Sequence, residues 1–294
     1  VVYHNKGDFD TAFDYHTRSL KIFEELDDKR GMGMSLGNIG YVYFNKGDYD
    51  KALDYYCRSL KINEMLNDKQ GIGYCFANIG NVYNNKGDFD KALDYYGRSL
   101  AIREELGDKN GVGESLNHIG ILYAHKGDFD IALDYYERSL KIFKEIGDKY
   151  GMGSSLNNIG TVYRDKGGYD KALDYLKRSL KIFKEIGDKH GIGYYLNNIG
   201  TVYYKKGDLV KALDYFERSV TIREEIGDKY GIGKTLNNIG TVYRDKGGYD
   251  KALDYYKRSL KIREELDDKR GMGQSLNNIG IVHKVKGDYE KALV

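Results

Sequence analysis

YRDKGGYDKALDYLKRSLKI, residues Tyr163 to Ile182, decides how this chain is read. It returns almost letter for letter at Tyr243 to Ile262, and weaker copies stand 40 residues before and after each. With its flanks, NNIGTVYRDKGGYDKALDYLKRSLKIFKEIGDKHGIG, it is one structural unit, and the 294 residues are a tandem array of that unit. A Lys-Gly pair marks every copy: Gly7, Gly47, Gly87, Gly127, Gly167, Gly207, Gly247 and Gly287, with no insertion between them. A strict period of about 20 to 50 residues is the mark of a solenoid, which grows by stacking one small unit on the next. The expectation is one array over 1–294, of about seven 40-residue repeats, cut within a repeat at both ends.

Within the second copy, Leu36, Ile39, Gly40 and Tyr43 follow the spacing of one helical face. Asp28 stands where an N-cap belongs, and Gly47 where a helix ends in a left-handed residue. Asp48 then opens a second helix, with Gly168 and Gly248 in its place in two later copies. Ala52, Tyr56, Ser59, Leu60, Asn63 and Leu66 line one side of that helix, which stops at Asn67. The residues equivalent to Asn67 are all Gly or Asp, types that visit the left-handed region readily. Each unit therefore reads as two antiparallel helices of about 16 to 18 residues. Gly40 and Ala52 are small and let the two helices approach. Asp54 and Arg58, four apart and repeated in every copy, read as a solvated ion pair on the opposite face.

These positions resemble the tetratricopeptide repeat. Leu236, Ile239, Gly240 and Tyr243 match that family's first-helix signature, and Ala252, Tyr256 and Ser259 its second-helix signature. The family's usual 34-residue unit closes with proline; here Glu264 sits in that place and the helix runs on to give 40 residues. Such long repeats resemble those of spindle-orientation adaptors, kinesin light chains and the sensor arms of bacterial signalling proteins. The resemblance implies an all-α, right-handed superhelical solenoid of antiparallel helix pairs. It also implies a concave groove, lined by first helices, that binds peptides.

Copies compared with one another show where the groove varies. One column reads Met34, Tyr74, Glu114, Ser154, Tyr194, Lys234, Gln274. A second reads Tyr41, Asn81, Ile121, Thr161, Thr201, Thr241, Ile281, and a third Phe44, Asn84, Ala124, Arg164, Tyr204, Arg244, Lys284. Core positions are expected to stay constant. One groove column scarcely drifts: Asn38, Asn78, His118, Asn158, Asn198, Asn238, Asn278. Asparagine is a mediocre helix former, so its persistence in a helix needs a reason. A carboxamide has both donor and acceptor and can pair with a peptide unit of an extended chain. The alternatives are an asparagine that bridges neighbouring repeats or one that merely survives from recent duplication. The candidate peptide-binding set is the asparagine column with Tyr41, Phe44, Tyr74, Asn81, Asn84, Arg164, Tyr194, Thr201, Tyr204, Lys234 and Arg244. Its early half is neutral and partly aromatic and is expected to take the apolar anchor of a ligand. Its later half is charged.

Composition narrows the function classes. Forty-seven basic and 45 acidic residues leave a net charge of +2, with no basic stripe for nucleic acid. No apolar run approaches the roughly 20 residues a membrane span needs. Cys57 and Cys75 are the only cysteines, which excludes a disulfide framework and points to a reducing, cytoplasmic setting. His118 and His125 share a helix face but stand about 10.5 Å apart along its axis, too far to share one zinc. No nucleophile, base and metal set converges, and no cofactor is implied. The expected function is a non-catalytic scaffold that grips a protein or peptide partner. The alternative is a spacer, or a module that stacks end to end on other copies within a larger signalling protein.

Overall fold

The computed structural model describes residues 6–288, and every described element is α-helical. In chain order these are α1 (Lys6–Glu25), α2 (Lys29–Asn45), α3 (Tyr49–Met65), α4 (Lys69–Lys86), α5 (Phe89–Glu105), α6 (Lys109–Lys126) and α7 (Phe129–Ile146). There follow α8 (Lys149–Asp165), α9 (Tyr169–Ile186), α10 (Lys189–Lys205), α11 (Leu209–Glu225), α12 (Lys229–Asp245), α13 (Tyr249–Glu265) and α14 (Lys269–Lys286). Even-numbered helices are the first helices of the repeats, and odd-numbered helices the second. The packing resolves into two compact units, residues 1–151 and 152–294, with the boundary in the first turn of α8.

Local chemistry places the helix ends where the repeat pattern puts them. The Asp28 carboxylate accepts the Gly31 N–H at 3.0 Å and caps α2. Asp48 accepts the Lys51 N–H at 3.2 Å and caps α3. Gly168 and Gly248 begin their helices with no side-chain cap. Gly47 lies at φ +77°, a conformation in which a Cβ would be strained. At the other turn the left-handed residue is Asp27, Asn67 or Asp267 in three copies, with φ of 50° to 53°. Gly7 departs from this pattern. It marks no turn, because α1 runs through it from Lys6. The expected break within the last repeat falls at residues 289–294, outside the described part of the chain.

Inside a repeat the two helices meet through aromatic rings set on glycine. A Cβ on Gly40 would lie 2.8 Å from the Tyr56 ring, and one on Gly200 would lie 2.7 Å from that of Phe216. Ala52 and Ala212, a turn earlier than those rings, are fully buried. A serine then ties the pair: Ser59 Oγ donates to the Gly33 carbonyl at 2.8 Å, and Ser219 to that of Gly193 at 2.7 Å. This bond answers a backbone carbonyl in a place that water does not reach. Tyrosines stack beside the core, Tyr43 on Tyr55 and Tyr243 on Tyr255, each with centroids 5.4 Å apart. The Asp54–Arg58 pair forms at 3.7 Å with both side chains about half exposed, a solvated face as expected.

In the first unit Leu20, Leu36 and Ile39 form one cluster and Ala52, Tyr56, Ile79 and Val82 another. In the second, one cluster runs from Ala172 through Phe183, Leu196 and Phe216 to Val242. Exposed ion pairs 36 residues apart also link successive repeats, such as Lys86–Asp50 at 2.7 Å and Lys229–Glu265 at 2.9 Å.

Two expectations about the core need correction. Leu66 is 42% exposed; it is the C-cap residue of α3, past the last helical turn. The core is also less constant than the repeat suggests. The buried column at Asn63 holds Arg103, Phe143, Phe183, Arg223 and Arg263 in later copies. The charged members stay buried by finding local partners. Arg223 donates to Asp228 Oδ2 at 2.6 Å and to Ser219 Oγ at 3.2 Å.

Candidate functional site

The candidate residues lie on the first helices. In the first unit α2 touches α4; in the second α10 touches α12 and α12 touches α14. Neighbouring first helices therefore present their variable columns side by side within each unit.

The outermost column is open. Met34 is 66% exposed, Tyr74 51% and Tyr194 44%, and Lys234 is exposed as well. Tyr41, in the second column, is 44% exposed. Its counterparts are partly engaged. Asn81 Oδ1 accepts from the Tyr96 hydroxyl at 2.7 Å, and Thr201 Oγ1 donates to the Asn197 carbonyl at 3.0 Å. In the third column Phe44 leans on Tyr49, with centroids 5.8 Å apart. Asn84 is half-buried, and its Oδ1 has no hydrogen-bond partner among the described residues.

The later charges of this column are balanced within the protein. Arg164 Nε donates to Asp165 Oδ1 and Arg244 Nε to Asp245 Oδ1, each at 2.9 Å. The Tyr204 hydroxyl donates to Asp245 Oδ2 from the preceding repeat. Burial, and then this bond to a carboxylate, push the Tyr204 hydroxyl up to about 12.

The asparagine column behaves differently in the two units. In the second, Asn198 Nδ2 donates to Asn157 Oδ1 at 2.9 Å, Asn238 to Asn197 at 3.0 Å and Asn278 to Asn237 at 3.0 Å. Each link joins the asparagine of one repeat to the residue preceding that column in the repeat before. Asn158, first of the column in this unit, sits 3.4 Å from Asn157 Nδ2. Asn198, Asn238 and Asn278 thus each give one N–H to the preceding repeat, while their carbonyl oxygens accept no hydrogen bond among the described residues; Asn198 is buried and the other two are half-buried.

In the first unit the acceptor column carries a carboxamide only at Asn117, and the positions that would face Asn78 and His118 lack one. Gly37 and Ala77 stand where the second unit has Asn157, Asn197 and Asn237. Asn38 is exposed, while Asn78 Nδ2 and His118 Nδ1 are buried without a hydrogen-bond partner among the described residues. His118 stacks on Tyr96 at 4.9 Å. Desolvation first, and the Arg103 charge second, lower its pKa to about 4, so it is neutral at pH 7. His125 packs against Phe89, apart from His118.

The asparagine that precedes the column in the later copies, and a bridge between repeats, were both legible in the sequence, but Asn157, Asn197 and Asn237 were not singled out as the acceptors. Sequence reasoning overlooked the buried arginines Arg103, Arg223 and Arg263, which were legible only as departures within a core column. Among the described residues no cluster of His, Cys, Asp and Glu could hold a metal, and no helix is long and apolar enough to cross a membrane.

The family profile of the tetratricopeptide repeat matches residues 1–65, 74–145, 151–225 and 231–294. The chain is a tetratricopeptide repeat protein. A comparison with curated protein sequences returns no match. Solved tetratricopeptide-like structures are similar in fold at low identity. BtubC (BKLC) from P. vanneervenii is 22% identical with a TM-score of 0.64, over 74% of this chain and 92% of its own. The apo form of RapI is 16% identical with a TM-score of 0.71, over 89% of this chain and 93% of its own. A Rap protein complexed with Competence and Sporulation Factor is 16% identical with a TM-score of 0.63, over 98% of this chain and 95% of its own. At such identities the likeness concerns the fold alone.

Proposed function

We propose that this tetratricopeptide repeat protein is a non-catalytic interaction scaffold whose first-helix faces bind an extended peptide of a protein partner. The observation that carries this reading is the bridged asparagine column. A bridge orients each carboxamide and leaves its oxygen as an acceptor, repeated once per repeat, for the N–H groups of a peptide backbone. Orientation before binding reduces the entropy lost when the peptide docks. Recognition thus uses the carboxamide oxygens of Asn198, Asn238 and Asn278, with the exposed side chains Tyr194 and Lys234 alongside. In the first unit, Met34, Tyr41 and Tyr74 supply an exposed apolar surface for an anchor residue. The complex of a Rap protein of similar fold with Competence and Sporulation Factor supports the reading by analogy.

The test is a peptide array, followed by titration of the strongest peptides against the wild type and the Asn198→Ala plus Asn238→Ala variant. The expected result is a loss of affinity of about tenfold or more, from two hydrogen bonds at about 0.5–1.5 kcal/mol each. Equal affinity for the two proteins, with both folded by circular dichroism, refutes the asparagine reading. An array with no binding peptide refutes the peptide reading as a whole.

A further inference from the structure

A cavity of about 270 Å³ opens between α12, α13 and α14, lined by Tyr230, Lys234, Arg263, Asp268, Arg270, Gly271 and Gln274. We propose that this cavity binds an oxyanion, the phosphate or carboxylate group of a partner. Three cations face one carboxylate there. The key residue is Arg263, which is only 4% exposed.

Its two charged counterparts in the same column are neutralised by acids. Arg223 pairs with Asp228 at 2.6 Å, and Arg103 with Glu114 at 3.1 Å. Arg263 has no such pair among the described residues. Its NH1 donates to the Gly271 carbonyl and, at 3.3 Å, to Gln274 Oε1. Its Nε is buried and has no hydrogen-bond partner among the described residues. The difference from Arg103 is one of sequence. Gln274 occupies the column position that Glu114 holds in the earlier repeat, so a carboxamide stands where a carboxylate was. Asp268 is the equivalent of Asp228 and caps α14 in the same way, accepting the Gly271 N–H at 2.9 Å through Oδ1, but among the described residues it forms no ion pair with Arg263 like the 2.6 Å pair of Arg223 with Asp228. Burial lowers the Arg263 pKa, and the field of Asp268 offsets this only in part.

A buried guanidinium with no carboxylate in direct contact is expensive, and an entering oxyanion would supply that contact. Guanidinium groups favour such oxyanions because several N–H donors lie in one plane. Lys234 and Arg270, both exposed, complete a positive rim. The proposal does not rest on the peptide reading, and its probe is a free ion.

The experiment follows the melting temperature of the full chain in sodium phosphate, in sodium N-acetylglutamate and in sodium chloride of equal ionic strength. Phosphate or N-acetylglutamate is expected to raise it by about 2–4 °C over chloride near saturation. The larger response of the two identifies the group the cavity prefers. Gln274→Glu restores the acid found at position 114. This variant is expected to melt higher without ligand and to lose the response, while Lys234→Ser, an exposed change, weakens the response severalfold. Wild-type protein that responds to neither anion beyond chloride overturns the proposal. So does a response that Gln274→Glu leaves intact.

Discussion

The seam between first helices is built in two ways in the two units. In residues 152–294 it is polar and closed: Asn157, Asn197 and Asn237 each accept from an asparagine of the following repeat, at 2.9 to 3.0 Å. In residues 1–151 the acceptor positions Gly37 and Ala77 carry no amide, and Asn78 Nδ2 and His118 Nδ1 remain buried without partners. The helices and their turns are otherwise alike. A carboxamide bridge needs both of its members, so losing one changes a stabilising contact into a desolvated polar group, a swing of about 1–3 kcal/mol. The same fold can thus carry one unit that is locked along its seam and another that is not.

The largest effect comes from the buried charges. Asp228 and Arg223 side chains in the second unit are 4% and 7% exposed. Arg223→Met should cost about 3–5 kcal/mol, measured by urea unfolding, because it leaves a buried carboxylate alone. Arg103→Met in the first unit should cost clearly less, because Glu114 is 50% exposed and stays hydrated. Equal costs would remove the electrostatic part of the contrast.

Next is the pH response of the first unit. The folded-state pKa of His118 lies at about 4 against an ordinary 6.5, so the unfolded chain binds the proton more readily. Stability from this group is fully present above pH 6.5 and falls as pH drops through 4, by roughly 3 kcal/mol in all. His118→Asn, the residue found elsewhere in the column, should remove that slope in urea titrations between these pH values. An unchanged slope would place the titration elsewhere.

Two exchanges then swap the seams. Asn197→Ala gives the second unit the residue the first has at position 77, and should cost about 1–2 kcal/mol by freeing Asn238 Nδ2. Gly37→Asn does the reverse. A Cβ at Gly37 meets only Ser59 Oγ, at 3.6 Å, so there is room for a side chain. The gain should be about 1 kcal/mol, from one hydrogen bond and a better helix former. Destabilisation by Gly37→Asn would show that the first unit cannot form the bridge.

Much of the fold was legible because the repeat shows its own punctuation. Gly47, Asp48, Ala52 and Asp28 each state a local rule, and the structure follows all four. The seam was harder to read, for a geometric reason. Its partners are 41 residues apart, as in Asn198 and Asn157, one more than the period. Comparing copies in register therefore sets each residue beside its equivalent and never beside its partner. The ion pairs at a spacing of 36, such as Lys86 with Asp50, were hidden in the same way. Arg263 escaped notice because an arginine in a core column reads as an exception until the missing acid at Gln274 is seen. The candidate residues do lie on the first helices, but the tasks of the asparagines depend on side-chain directions that no spacing reveals.

The most direct measurement is hydrogen–deuterium exchange of the intact chain with and without a peptide selected on the array. The account predicts added protection in first helices of a unit, such as α10, α12 and α14, with α9, α11 and α13 little changed. Protection confined to the second helices would contradict it, because the peptide would then lie on the opposite face from the asparagine column.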